Sequence, residues 1–509
     1  MQVHMRQSVY ERARIPLYAA IAAFLIHLVC NPHYGFFGDE LYFIVCGRHP
    51  QWNYVDQPPI APLLAAASQA FGPSLVLLRA VPALFAGAGI YVTCLVVTEL
   101  GGGAYAQLLS AIVVFFLPVL TDFGMKVSPD MVGLFTWPLM ALWVVRLTKG
   151  ANPRLWVAIG GLMGVSILSK YSVLFFAVAL LMGLLLTPER RILYSWWFIV
   201  GIVISAVMAL PAFLWQVHHG YPMLELLRAV QQGKNVIVGP LGYLGQQLLI
   251  SGLLAEFWII GLAWLFLRPP FRFLAYGYVL LIAMMIVQHG KHYYPANVYP
   301  YLLAAGCVQI EDWTRQLRRG RVAIAAATVL LGLAFFPLVM PVLPEAQLAR
   351  YDAHLWSLLH VSKESIATEH RAQAELPFDF PSMHGWTELT AIVNRVYQGL
   401  PPGDRAQAVV MAQNYSEAAA IDFLSKPRLP VISGHNQYFL WGPRGYSGDV
   451  LICVGDDCDS VAKQFRACSL EARLEALWIQ PSEYDIPIMV CRGIKKPISE
   501  LWPLTKFYN

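Results

Sequence analysis

The chain has 509 residues, of which 57% are hydrophobic and 13% charged, and its mean hydropathy is +0.53. A soluble domain carries about 25% charged residues, so these values exclude a water-soluble globular protein and require an integral membrane protein. The net charge of +5 is small for the length. Its basic residues sit in short loops beside apolar runs, which excludes a nucleic-acid surface.

Arg6, Arg12 and Arg14 precede an apolar run from Pro16 to Cys30. No A-x-A-like cleavage site follows, and Val29 is not the small residue that a lipid anchor at Cys30 needs, so the run reads as a retained span. About 20 apolar residues cross the hydrocarbon core. Runs of this kind near 15–31, 75–98, 105–121, 131–147, 155–170, 171–187, 195–215, 246–267, 272–288, 294–309 and 321–343 predict a polytopic α-helical protein with about eleven spans.

Lysine and arginine bias sets the orientation. With a cytoplasmic N-terminus, Arg146, Lys149 and Arg154 fall in one cytoplasmic loop, Arg190 and Arg191 in the next, then Arg268 and Arg272, then Arg315, Arg318, Arg319 and Arg321. The opposite loops hold Asp39, Glu40, Asp56, Asp130 and Lys170. An odd number of spans puts the C-terminal region on that same extracytoplasmic side. Residues 344–509 contain no run long enough to span and read as a soluble α/β domain. Strands are expected at 408–412, 450–454 and 487–491, and helices at 416–424 and 459–467. Four of the eight cysteines lie there: Cys453, Cys458, Cys468 and Cys491. An oxidising compartment allows up to two disulfides among them, with three pairings open. Cys30, Cys46, Cys94 and Cys307 read as unpaired.

Ionisable side chains at membrane depth are costly unless hydrated, paired or functional. The first outer loop, 32–74, is rich in aromatic residues, and amphipathic helices at 39–47 and 60–70 are expected to lie along the membrane surface. Asp39 and Asp130 each precede an apolar run, where an acid is either an N-cap or a working carboxylate. Asp122 and Lys126 read as loop charges or a local ion pair. Lys170 sits between two apolar runs, where a lysine either snorkels or holds an anion such as a lipid phosphate. The segment His289-Gly290-Lys291-His292-Tyr293-Tyr294 reads as an interface belt or as a phosphate cradle. No P-loop, dinucleotide fingerprint, Gly-x-Ser-x-Gly elbow, His-Glu-x-x-His or paired zinc cysteines occur in the sequence. A group donor, if any, is therefore expected to be carried by lipid.

The motifs Gly38-Asp39-Glu40-Leu41-Tyr42, Tyr54-Val55-Asp56-Gln57-Pro58-Pro59, Lys126-Val127-Ser128-Pro129-Asp130, Leu168-Ser169-Lys170-Tyr171 and Lys291-His292-Tyr293-Tyr294 with Tyr299-Pro300 resemble, in order and membrane side, glycosyltransferase family 39. This family of GT-C fold holds bacterial protein O-mannosyltransferase relatives and lipid A aminoarabinose transferases. Gln413-Asn414-Tyr415 and Gly434-His435-Asn436-Gln437-Tyr438 resemble the C-terminal domain of bacterial members. The resemblance implies a GT-C catalytic domain over 1–343 and an extracytoplasmic α/β domain over 344–509. It implies a polyprenyl-phosphate sugar donor in a bacterial inner membrane and an acceptor that is an envelope glycan, lipid or protein. It also implies catalytic roles for Asp39, Asp130 and Glu40. Lys170, Lys291, His292 and Tyr293 would bind the donor phosphate, and Tyr415, Asn436 and Tyr438 the acceptor. No soluble nucleotide cofactor is expected, and a divalent metal ligated by Asp56 and Glu40 stays open. Aminoarabinose transferases carry Glu-Lys where this chain has Asp56-Gln57, and a basic residue in place of Tyr42. These departures weaken transfer of aminoarabinose to lipid A in particular. The competing reading is a transporter or lipid flippase. Such proteins tend to show inverted repeats and midplane ions, whereas here no repeat is visible and the ions cluster at one surface.

Overall fold

The computed structural model describes residues 2–234, 236–360 and 374–509, with side chains described outside 2–13 and 234. The side chains of Arg6 and Arg12, read above as flanking the first span, lie outside the described residues, as does the part of the C-terminal region at 361–373. The chain divides into two compact units. The first comprises Met1–Pro32, Val76–Leu214 and Ile237–Val342; the second comprises His33–Leu75, Trp215–Val236 and Leu343–Asn509. Residues 33–75 and 215–236 thus group with the C-terminal region, whereas the sequence reading set a single break at residue 343.

The first unit is helical. Leu75–Glu99, Trp196–His218, Pro269–Val287 and Arg318–Val339 are each long and apolar enough to cross a membrane. Three further candidates are bent pairs: Ala104–Phe116 with Pro118–Met125 (68°), Val173–Leu185 with Pro188–Tyr194 (116°), and Pro240–Leu249 with Gly252–Leu267 (98°). Pro118 and Pro188 mark two of the bends, since proline disfavours helical backbone at the preceding residue. All eleven expected runs carry helix, but among the described residues only four to seven meet the spanning criterion by length and composition. The protein is a multi-pass membrane protein. Its helices meet backbone to backbone where glycines allow it. A Cβ on Gly261 would lie 1.8 Å from the Leu302 carbonyl oxygen, and one on Gly306 would lie 1.9 Å from that of Phe257. Small residues at such crossings let dispersion and backbone contacts hold helices together where lipid gives no hydrophobic drive.

In the second unit, the helix Gly38–Arg48 does not lie along a surface as expected. Glu40 to Cys46 are all buried, and the helix packs against Ile60–Ser68 and Tyr415–Leu424. Its aromatic and aliphatic residues cover every face, and a helix apolar all round is a core helix. Gly38 permits the approach, because a Cβ there would lie 2.8 Å from Ser416 Oγ. The sheet contains β1 (Ala408–Ala412), β2 (Val431–Ile432), β3 (Val450–Val454), β4 (Phe465–Arg473) and β5 (Pro487–Ile494), in the order β2-β1-β3-β5-β4. β1 pairs parallel with β2 and β3, and β5 pairs antiparallel with β3 and β4. The three expected strands and the helix Tyr415–Leu424 are present. The helix expected at 459–467 is not: a short helix, Cys458–Ala462, gives way to the edge strand β4.

Two disulfides close within this unit, Cys453–Cys458 and Cys468–Cys491. The second joins directly opposed residues of β4 and β5 and ties down an otherwise exposed edge strand. Cys30, Cys46, Cys94 and Cys307 form no disulfide. Alkylation of the denatured, unreduced protein should therefore label four cysteines, and all eight after reduction. Peptide mapping should recover these two linkages; labelling of more than four before reduction would contradict the pairing.

Candidate active site

In the first unit the sequence-predicted residues Asp130 and Lys170 meet. Asp130 is not an N-cap, since the helix that follows begins at Gly133 with Val132 at its cap position. Its Oδ2 instead accepts a hydrogen bond from Lys170 Nζ at 2.5 Å. Lys170 therefore does not simply snorkel. Its ammonium also lies 5.0 Å from the Tyr293 ring centroid and 4.5 Å from that of Tyr294, within cation–π range. Ser169 Oγ donates to the Pro129 carbonyl at 2.9 Å, clamping the two loops together. Asn297 Nδ2 donates to the Asp130 carbonyl at 3.3 Å.

The loop carrying Lys291, His292 and Tyr293 is held from the helix Pro240–Leu249. Gln247 Nε2 donates to the His292 carbonyl at 2.9 Å, and Tyr299 Oη donates to Gln247 Oε1 at 2.7 Å. Burial, with a smaller contribution from Lys291, lowers His292 to about 4. His292 is therefore neutral at physiological pH and supplies no positive charge. Lys170 and Lys291 carry the positive charge of this cluster. Lys126 pairs with Asp122 as a part-buried i,i+4 ion pair.

In the second unit four sequence motifs from distant parts of the chain converge. Asp39 is also no N-cap: it occupies the first turn of Gly38–Arg48, and its Oδ1 accepts from Tyr415 Oη at 2.9 Å. Glu40 serves the helix start, its Oε2 accepting from the Phe37 backbone N–H at 3.0 Å. Tyr42 Oη donates to Asp56 Oδ1 at 3.0 Å and accepts from the Gln437 backbone N–H at 3.2 Å. Asn436 Nδ2 donates to Asp56 Oδ2 at 3.4 Å, and the Val55 N–H donates to Gln437 Oε1 at 3.1 Å. The Tyr42 and Tyr415 rings lie 4.5 Å apart, and His435 lies 4.7 Å from Tyr415. Burial raises Asp56 to about 7, with the nearby Asp39 adding to the effect and the bonds from Tyr42 and Asn436 opposing it. Tyr438, the third expected acceptor residue, is buried and its ring stacks 6.4 Å from that of Tyr42.

Of the two expected metal ligands, Glu40 is engaged at the helix start and Asp56 by Tyr42 and Asn436. Among the described residues, no group of three or more His, Cys, Asp or Glu could hold a metal ion. The residues present do not fit a metal, and no step is derived through one. Two features were missed in the sequence. Arg79 is fully buried in the helix Leu75–Glu99, where Nη1 donates to the Asn31 carbonyl at 2.6 Å; an arginine inside an apolar run was the available signal. Glu417 and Glu483 meet in the second unit, where Asn414 Nδ2 donates to both at 2.9 and 3.0 Å. Burial and the Glu483 charge raise Glu417 well above the usual carboxylate range. Asn414-x-x-Glu417 was legible as a capping box, but its partner, 66 residues later in the chain, was not.

Comparison with known proteins places this geometry in context. Residues 56–215 match the model of the dolichyl-phosphate-mannose-protein mannosyltransferase family. The crystal structure of ArnT from Cupriavidus metallidurans bound to undecaprenyl phosphate superposes with a TM-score of 0.59 at 14% identity, covering 93% of this chain and 97% of ArnT. The chain has the GT-C glycosyltransferase fold. The apo form of ArnT agrees, with a TM-score of 0.59 at 14% identity over 93% of this chain and 96% of that one. The arabinofuranosyltransferase AftD from Mycobacteria matches with a TM-score of 0.52 at 12% identity, over 95% of this chain and 40% of AftD. No curated protein sequence matches the chain. The GT-C resemblance read from the motifs is borne out by the family model and by the fold.

Asp56 gives a pH signature specific to this GT-C chain. Its carboxyl titrates near 7 in the folded unit and near 3.9 in an unfolded chain. Between those values the folded state holds a proton that the unfolded state has released. This group's contribution to stability therefore falls as pH rises from about 4 to about 7, and is flat above that. In thermal unfolding of the detergent-solubilised protein, Asp56→Asn should gain stability relative to wild type on going from pH 5 to pH 8. A difference between the two that does not change with pH would contradict the assignment.

Proposed function

We propose that the protein is an integral-membrane glycosyltransferase. It transfers a sugar from a polyprenyl-phosphate donor to an acceptor hydroxyl on the extracytoplasmic face of a bacterial inner membrane. The observation that carries this reading is the Lys170 ammonium, held by Asp130 and flanked by Tyr293 and Tyr294. It is a fixed positive charge in the membrane unit of a chain with the GT-C fold. ArnT with the same fold was crystallised with undecaprenyl phosphate, which supports a lipid phosphate as the donor's leaving group.

The chemistry follows from these residue types. The bond between the anomeric carbon and the phosphate oxygen breaks, and the electron pair leaves with the polyprenyl phosphate. Lys170 and Lys291 offset the charge that develops on that phosphate. Asp39 accepts the proton of the acceptor hydroxyl as the new glycosidic bond forms. Direct displacement inverts the anomeric centre. Asp130 orients Lys170, Glu40 fixes the helix start that carries Asp39, and Tyr415 orients the Asp39 carboxylate. The acceptor is a hydroxyl of an envelope glycan, lipid or protein. Because Tyr42 is a buried neutral partner of Asp56, the charges that mark aminoarabinose transferases are absent here, and a different sugar is favoured. Nothing in the geometry favours the transporter alternative.

Purified protein given a panel of polyprenyl-phosphate sugars and envelope acceptors should release free polyprenyl phosphate. Asp39→Asn should lower the rate by about 100-fold or more, the usual contribution of a general base. Normal turnover by Asp39→Asn would overturn the assignment of the base, and no release from any donor by folded wild type would overturn the transferase reading.

A further inference from the structure

The second unit contains a cationic cluster that the transfer reaction does not use. Asp422, at the end of the helix Tyr415–Leu424, has a side chain only 2% exposed. Arg428 approaches it at 2.5 Å and Arg444 at 3.7 Å. Arg48, at the end of Gly38–Arg48, lies 4.7 Å over the ring of Phe423 beside it. The guanidinium of Arg444 lies 4.9 Å over Trp441 and 5.5 Å over Tyr438, and His49 packs 5.1 Å from Trp441. Three guanidiniums against one carboxylate leave a surplus of two positive charges. Its effect reaches His49, whose pKa is lowered by burial and then by Arg444, with Arg428 and Arg48 adding to the shift and Asp422 opposing it.

Three hydrogen-bond donors of this cluster are buried with no hydrogen-bond partner among the described residues: Arg444 Nη2, Trp441 Nε1 and Tyr438 Oη. Tyr438 is only 1% exposed, and its hydroxyl is within electrostatic reach of Asp422, Arg444 and Arg428. Leaving a buried donor unsatisfied costs about 1–3 kcal/mol. Three together, beside uncompensated positive charge, describe a place where an anion with several acceptor oxygens belongs. Guanidinium forks match phosphate geometry. A phosphate monoester carries about −1.5 to −2 charges at pH 7, which matches the surplus.

We infer that Arg444, Arg428 and Arg48, with the indole N–H of Trp441 and the hydroxyl of Tyr438, form a binding site for a phosphate monoester. The ligand is either a soluble phosphate compound or the headgroup of a lipid. The site gives Tyr438 a role in holding an anion rather than a sugar hydroxyl, and it stands independently of the transferase reading.

The test uses the full-length protein in nanodiscs of neutral lipid. Equilibrium dialysis with radiolabelled inorganic phosphate should show saturable binding. Arg444→Gln should weaken it by about tenfold or more, while Arg473→Gln, at an exposed arginine paired with Asp485, should leave it unchanged. Trp441→Phe and Tyr438→Phe keep the rings and remove one donor each, so they separate loss of binding from loss of fold; each should weaken phosphate several-fold. A second arm replaces part of the neutral lipid with phosphatidic acid. Displacement of phosphate there identifies a lipid headgroup as the source, and no displacement identifies a soluble ligand. Absence of saturable phosphate binding, or equal binding by wild type, Arg444→Gln and the two phenylalanine variants, would overturn the inference.

Discussion

The Lys170–Asp130 ion pair is the constraint around which the membrane unit is arranged. A lysine between two apolar segments is poorly solvated, and a lone ammonium there is expensive. Asp130 satisfies it at 2.5 Å, with Tyr293 and Tyr294 flanking the same ammonium. Removing one partner of such a pair typically costs about 3–5 kcal/mol, because the remaining charge is left uncompensated. The surrounding bonds keep the pair in place. Ser169 fixes one loop to the other, Asn297 reaches the Asp130 backbone, and Gln247 holds the Lys291–Tyr293 loop. An ammonium uses one donor on Asp130 and retains two more, so the pair orients a cation without exhausting it.

The second unit solves a different problem with the opposite charge. Asp39 and Asp56 are carried by residues 33–75, yet their partners Tyr415 and Asn436 come from the C-terminal region. Tyr42 bridges the two sets by donating to Asp56 while accepting from Gln437. Such a network is rigid because each polar atom has a defined role, and a buried polar group without one is penalised heavily. It also explains why residues 33–75 are so apolar: Leu41 to Cys46 form the interior of a folded unit, not a surface layer.

How much of this was legible in the sequence depended on the range of the interaction. The apolar runs gave the membrane class and the change of composition near residue 343 pointed to a C-terminal region of another kind, because both rest on local composition. Asp39, Asp130 and Lys170 could be picked out, but each lone acid was equally readable as a cap. Helix starts at Gly38 and Gly133 removed that reading, and only the fold could supply those boundaries. The helix Gly38–Arg48 was misread as interfacial because aromatic residues serve a membrane interface and a protein core alike. The helix expected at 459–467 was drawn too long because Lys463, Gln464, Arg466 and Ala467 favour helix locally, while pairing of β4 with β5 and the Cys468–Cys491 link impose a strand. Tertiary context overrides propensity in this way on edge strands. The neutral state of His292 also depends on burial that no local pattern reports.

The claim on which the functional reading rests is that Lys170 meets the phosphate of a polyprenyl carrier. The most direct measurement is the affinity of purified protein for polyprenyl phosphate without a sugar, compared between wild type and Lys170→Met. Losing a charge-assisted hydrogen bond to phosphate should weaken binding by about tenfold or more, with the secondary structure unchanged. Equal affinity in wild type and Lys170→Met would contradict the assignment and leave the Lys170–Asp130 pair a purely structural element of the membrane unit.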